Sequence, residues 1–384
     1  MATPAVAWPP GPARTLLGSF VPFGLRGDAL GFLAGLAKTY GDVAHFYAAG
    51  EHFVLVTHPN QVKDVLVTNQ RNFRKGRALE RARKLLGDGL LTSEGQTHLT
   101  QRRLLQPAFH KERIASYAST MTACAERVQA RWTDGGTLDA SEEMMRLTLA
   151  VVGRTLFDAD VEEKARDVGE ALTAVLESFW TAMLPFAEVL ENLPIGALRK
   201  GRDARATLDG IIYGLIEERR RNPGDRGDLL SMLLMAQDEE QGGRGMSDSQ
   251  VRDEAMTIFL AGHETTANAL AWTWYLLNGA PDIERRLHEE LDRVLGGRPP
   301  SLADLPRMPL LEQIITESLR LYPPAWSIGR RAVGAYKAGD YMVPPRSIVL
   351  MSPYVTQRDA RFFAEPDRFW PERWTADFRQ TLPP

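Results

Sequence analysis

The sequence predicts a mainly α fold, an α-dominated α+β domain, and three observations carry that reading. A short β-type hairpin stands near the front. A stretch of helical period follows from Pro59 to about Pro323, and a strand-like piece returns among prolines at Ser347–Met351. The 384 residues, 44% hydrophobic and 25% charged, suit one large globular domain over 1–384 with a Pro/Gly-rich arm over 1–27.

Each element has a local reason. Residues 28–41 read as a helix, because Leu30, Leu33, Ala34 and Ala37 share a face and Gly41 stops it. Val43–Tyr47 and Phe53–Thr57 read as strands joined by a turn at Ala48-Ala49-Gly50. Loops at Gly87–Gly89, Asp134–Gly136, Asn222–Gly227 and Gln241–Gly245 divide the helical body. The clearest helix runs from Asp248 to about Asn278, roughly 45 Å at 1.5 Å per residue. Ser247 and Gln250 have capping-box spacing at its start, and Gly279 and Pro281 end it. It is apolar on most sides after Met256, so burial is expected there. The β pieces from the two ends of the chain are expected to pair.

Bulk properties exclude several classes. A net charge of -3 gives no footprint for nucleic acid. A single cysteine, Cys124, excludes an internal disulfide framework and fits a reducing compartment. No apolar run is long enough to span a bilayer. Pro4, Pro9, Pro10 and Pro12 interrupt the N-terminus where a signal peptide needs an apolar centre. A cytoplasmic protein is expected.

Four constellations carry chemistry. The first is Ala261-Gly262-His263-Glu264-Thr265-Thr266, mid-way along the long helix. Gly262 admits a ligand against the backbone. Thr265 bonds back one turn and bends the helix. Glu264 beside it adds an acid suited to passing protons into a closed pocket. The plain structural alternative is a packing glycine with two satisfied hydroxyls. A zinc-protease helix would need a second histidine where Ala267 stands, so that reading fails. The second constellation is Glu317-Ser318-Leu319-Arg320, whose charged ends share a helix face. The third is Phe369-Trp370-Pro371-Glu372-Arg373-Trp374, which offers a second arginine for a Glu–Arg–Arg network. The fourth pairs His98 with Arg102 one turn on, a donor set for a carboxylate or phosphate. Basic residues crowd nearby at Arg71, Arg74, Lys75, Arg77, Arg81, Arg83 and Lys84. They read as a solvated face able to dock an acidic protein.

In this order and spacing the motifs resemble the cytochrome P450 family, from about Pro9 to the last residue. The resemblance implies a haem b cofactor (heme b, iron protoporphyrin IX) and insertion of one oxygen atom of O2 into an organic substrate. It implies that His98 and Arg102 hold one haem propionate and Arg330 the other, and that Ala261 and Gly262 line the oxygen groove. It further implies that Glu264 and Thr265 are the acid–alcohol pair delivering protons during oxygen activation. Glu317, Arg320 and Arg373 match the structural triad behind the haem. Substrate is then met by the 77–93 loop, the 178–198 region and Ala325–Ile328. Phe179, Trp180, Leu184, Phe186 and Trp326 make those segments apolar, so an apolar substrate is expected. No Gly-x-Gly-x-x-Gly unit or cysteine cluster is present, so electrons from NAD(P)H are expected through a separate reductase and a ferredoxin or flavodoxin-type partner.

Two departures stand out. Gln357-Arg358-Asp359 replaces the family's His-Arg-Asp. The sequence as given stops at Leu382-Pro383-Pro384, before the Phe-x-x-Gly-x-x-x-Cys-x-Gly loop and last helix, so it reads as C-terminally incomplete and no metal ligand is assigned. Cys124, in the helical stretch Ile114–Arg131, has no glycine-rich loop around it and reads as a packing residue. Two rival functions therefore stand beside the monooxygenase: an inactive fragment, and a helical binder of an apolar small molecule without redox chemistry. Haem held through His263 or His98 is a further variant.

Overall fold

Strands from opposite ends of the chain meet in one five-stranded sheet. The computed structural model describes residues 8–14, 27–158, 169, 171, 174, 196–238 and 244–383. β1 (Val43–Ala48) and β2 (Glu51–Val56) form an antiparallel hairpin. Ala49 and Gly50 turn it with φ of 50° and 80°, the double positive φ that suits the right-handed strand twist. The predicted turn was one residue longer. β3 (Phe73–Lys75) lies inside the stretch read as helical; three residues are too few for a period to show. β6 (Ile328–Ala332) pairs antiparallel with β3 and with β9 (Ile348–Met351), and β9 pairs parallel with β2. The expected pairing between the two ends is present. Two-stranded ribbons complete the β structure: β4 (Gln237–Asp238) with β5 (Arg244–Gly245), and β7 (Tyr336–Ala338) with β8 (Tyr341–Val343).

Helices supply the mass. α1 (Ala29–Tyr40) starts where Asp28 accepts the Gly31 N–H at 2.7 Å, and it buries Leu33 and Leu36 against the sheet. The helical body holds α2 (Arg77–Leu86), α3 (Gly95–Leu105), α4 (Lys111–Gln129), α5 (Ala140–Phe157), α6 (Gly196–Arg221), α7 (Leu229–Met235), α8 (Asp248–Asn278), α9 (Pro281–Leu295) and α10 (Pro309–Leu321). Leu149 and Val152 of α5, Leu208 and Ile212 of α6, and Leu230 and Leu233 of α7 pack on Val251, Ala255 and Phe259 of α8. Cys124 is buried in α4, with Arg127 donating to its sulfur at 3.4 Å. Among the described residues, no helix is long and apolar enough to cross a membrane.

The bounds of α8 match the sequence reading, and both halves of its capping box form. Its burial does not match. The helix buries Val251, Ala255, Met256, Phe259, His263 and Ala267, but Ala261, Thr265 and Thr266 are exposed, and Trp272, Trp274 and Tyr275 are 40%, 47% and 60% exposed. Apolar character marks what a helix can bury, not where a neighbour covers it. Trp272 instead stacks on Tyr322 with ring centroids 4.1 Å apart. Removing the cap hydroxyl in Ser247→Ala should lower stability by about 1 kcal/mol, read by chemical denaturation.

Candidate functional site

The middle of α8 is polar for reasons the structure separates. Thr265 Oγ1 donates to the Ala261 carbonyl at 2.6 Å, as predicted, and both residues are exposed in mid-helix. Glu264 is half-buried, and burial raises its pKa above the usual carboxylate range. Gly262 faces the other way: a side chain there would meet Val152 of α5 at 3.4 Å. That is ordinary van der Waals contact, so Gly262 lies against α5 without being required there, and Ala261 is the residue on the open face. His263 is also turned to α5, donating through Nε2 to the Met145 carbonyl at 3.1 Å. Burial holds its pKa low, so it is a neutral packing histidine. An axial role for it does not fit this orientation.

A second group forms where β3, β6 and α3 meet. Register places Lys75 opposite Arg330. Lys75 Nζ donates to the carbonyls of Leu90 at 2.8 Å and Ser93 at 2.5 Å, and lies 3.4 Å from His98 Nδ1. His98 Nδ1 also meets the Leu90 carbonyl at 3.1 Å. Burial pulls Lys75 down to about 8 and depresses His98, with Lys75 adding to the depression. Arg330 is half-buried and depressed by burial; its guanidinium bonds to the Gly329 carbonyl at 3.1 Å, and Glu94 is the carboxylate that favours its charge. Arg102 lies one turn beyond His98 and is exposed. Lys75 was grouped with the solvated basic face; it points inward instead. Its place opposite Arg330 was hidden because β3 was not visible in the sequence.

The third group is fully enclosed. Glu317 has no exposed surface. It takes Arg320 Nε at 2.8 Å and Nη2 at 2.9 Å, Arg373 Nε at 3.0 Å, the Trp370 N–H at 3.0 Å and Trp374 Nε1 at 2.9 Å. Arg320 Nη1 also holds the carbonyls of Gln357 and Pro366, both at 2.7 Å. A family model described as cytochrome P450 matches residues 9–382.

The chain belongs to the cytochrome P450 family. It is 42% identical over 347 residues to cyclooctatin synthase of Streptomyces melanosporofaciens, covering 90% of this chain and 75% of that protein. It is 38% identical to cyclooctat-9-en-7-ol 5-monooxygenase of the same organism, covering 91% and 75%. Pentalenene oxygenase of Streptomyces avermitilis is 38% identical, covering 91% and 77%. The crystal structure of a cytochrome P450DA heme domain superposes with a TM-score of 0.85 at 26% identity, covering 98% of this chain and 84% of that one. A retinoic acid-bound cyanobacterial CYP120A1 shares the fold with a TM-score of 0.86 at 24% identity, covering 99% and 85%. The activity that comes with this P450 family is haem-dependent monooxygenation.

The residues fit a P450 haem on grounds of charge. Lys75 and Arg330 are partly desolvated cations, His98 is a partly desolvated imidazole donor beside them, and Glu94 is the carboxylate that favours the charged forms most directly. A desolvated cation cluster is stabilised by an incoming anion such as a propionate. Of the substrate-facing segments, Phe179, Trp180, Leu184 and Phe186 lie outside the described residues, while Trp326 packs beside Leu33 and Leu350. Among the described residues, no cluster of three His, Cys, Asp or Glu could hold a bare metal ion. Glu317→Ala would strand two buried guanidinium groups, and the expected loss is about 3–5 kcal/mol by urea unfolding. That is much of a typical domain's stability.

Proposed function

We propose that this P450 oxidises a terpenoid hydrocarbon or alcohol, with His98, Arg102 and Arg330, joined by Lys75, holding the haem propionates. The observation that carries it is the partly buried cation cluster, tied through Leu90 to a helix whose middle exposes Ala261 and Thr265. Bound haem supplies O2 reduction and oxygen insertion into a C–H bond. This chain's own residues supply the rest. Ala261 offers a small surface beside the reacting centre. Gly262 turns toward Val152 of α5, which packs on the helix there. Glu264 keeps its proton to higher pH than an exposed carboxyl, because burial disfavours the charged form, and can pass it on. Thr265 holds its hydroxyl in place on the Ala261 carbonyl. Glu317, Arg320 and Arg373 act as scaffold, not as reacting groups.

Electrons would come from NAD(P)H through a separate reductase and a ferredoxin or flavodoxin-type carrier in the cytoplasm. Exposed Arg71, Arg74, Arg83 and Lys84 suit an acidic carrier, although Arg83 already meets Asp88 at 2.6 Å. The relatives' names support an apolar polycyclic substrate.

The test is haem titration of the purified chain, followed at the Soret band. Uptake should occur, and Arg330→Leu should weaken it roughly 10- to 100-fold. No uptake, or unchanged affinity in both Arg330→Leu and Lys75→Met, would sink this reading and favour a non-redox binder. In the haem-loaded enzyme, Thr265→Ala should keep haem and lower product formed per O2 consumed on the order of 100-fold.

A further inference from the structure

The loop between Gly87 and Ser93 lies flush on the first half of α8, and two adjacent carboxylates hold it. The Asp88 N–H donates to Asp253 at 2.8 Å, and the Leu90 N–H donates to Glu254 at 2.9 Å. The contact leaves no room for side chains. A Cβ at Gly89 would fall 2.3 Å from Thr257 Oγ1, and one at Gly87 would fall 2.1 Å from the Asp253 carboxylate. The loop is braced within itself: Thr92 Oγ1 donates to the Gly87 carbonyl at 2.6 Å, and Gln101 Nε2 to the Asp88 carbonyl at 2.5 Å. It is therefore built to lift or seat as a unit.

The two carboxylates differ. Asp253 is half-buried and takes Arg252 Nη1 at 2.9 Å; Arg252 also bonds Asp209. Glu254 has no exposed surface, and its Oε1 has no hydrogen-bond partner. Thr257 Oγ1, one turn along, has none either. A buried carboxyl with one open oxygen is the weak point of this clasp. It is also the point of leverage. Leu90 gives its N–H to Glu254 and its carbonyl to both Lys75 and His98.

We propose that Glu254 is a positioning residue for the cation cluster: its grip on Leu90 aims the Leu90 carbonyl at His98 and Lys75, and hydration of this carboxyl releases the loop and loosens both. That the cluster holds a propionate rests on the function proposed above; the clasp itself does not. The groups bearing on Glu254 are Asp253 on its own helix and Lys75 across from it. Glu94, Arg330 and Arg83 act on Lys75 in turn, with His98 in contact. Burial is the main cause that pushes Glu254 up to about 7. A lifted loop would hydrate the carboxyl and return it to its ordinary range. The seated loop thus binds the proton more tightly. Its advantage is full below that ordinary range and is lost as pH rises through about 7.

Hydrogen–deuterium exchange of the 87–93 peptide in the full chain, from pH 5.5 to 8.5, tests this, with residues 281–295 as a control for global unfolding. After correction for the intrinsic rate, wild-type exchange should rise roughly 30-fold from pH 5.5 to a plateau above 7. Glu254→Gln imitates the neutral carboxyl and should stay protected at every pH. Glu254→Leu removes the acceptor and should exchange fast throughout. A flat wild-type profile, or a slope that survives in Glu254→Gln, overturns the proposal; should Glu254→Leu not fold, these two profiles decide. A chain with the expected profile but no haem uptake keeps the clasp and loses only the propionate reading.

Discussion

Taking a carboxylate out of water costs several kcal/mol, and Glu317 is out of water completely. The cost is offset only because five donors converge on its two oxygens. Two of those donors come from Trp370 and Trp374, and a third from Arg373, so the irregular chain after β9 is shaped by one side chain of α10. Arg320 spends its remaining nitrogen, Nη1, on the carbonyls of Gln357 and Pro366. A segment with little regular structure gains a fixed path this way. Replacing Glu317 leaves both arginines charged and without their carboxylate, so substitutions within the cluster should be coupled rather than additive.

The same principle recurs at the other end of the site with a different balance. Around Glu317 the charges close on each other. Around Lys75 and Arg330 they do not: burial outweighs the carboxylates Glu94 and Glu254, and both cations are held below their ordinary pKa. One cluster is finished by the protein alone; the other keeps donors suited to an anion. That contrast separates a scaffold residue from a binding residue more clearly than burial does.

Much of this was legible in the sequence, and the limits have physical causes. The bounds of α8, though not its burial, were legible because a capping box, a long period and a terminal glycine agree. The hairpin was legible from its alternation and its turn. β3 was not, since Phe73–Lys75 is a strand only because β6 lies beside it. Missing β3 meant missing Lys75. The direction of Gly262 was also beyond reach, because a helical pattern gives a face relative to its own neighbours, not to other helices. The Glu254 clasp left one faint signal, Gly87 and Gly89 two apart in a predicted loop, and only the packing on α8 gives it meaning. The Glu317, Arg320 and Arg373 grouping was proposed from motif order and stands together in space.

The parallel pairing of β2 with β9 has a consequence for the order of assembly. Thr356 donates to the carbonyl of Thr57 across 299 residues of chain. At the ribosome, the first hairpin must wait roughly 15–60 s for its sheet partner to be made. During that time the inner edge of β2, with Val54, Leu55 and Val56 all destined for burial, has no strand beside it. The helical body, rich in local contacts, can condense meanwhile. The sheet that opens the sequence is thus among the last parts to close, and the interval before closure is when this chain is most exposed to aggregation and most in need of a chaperone.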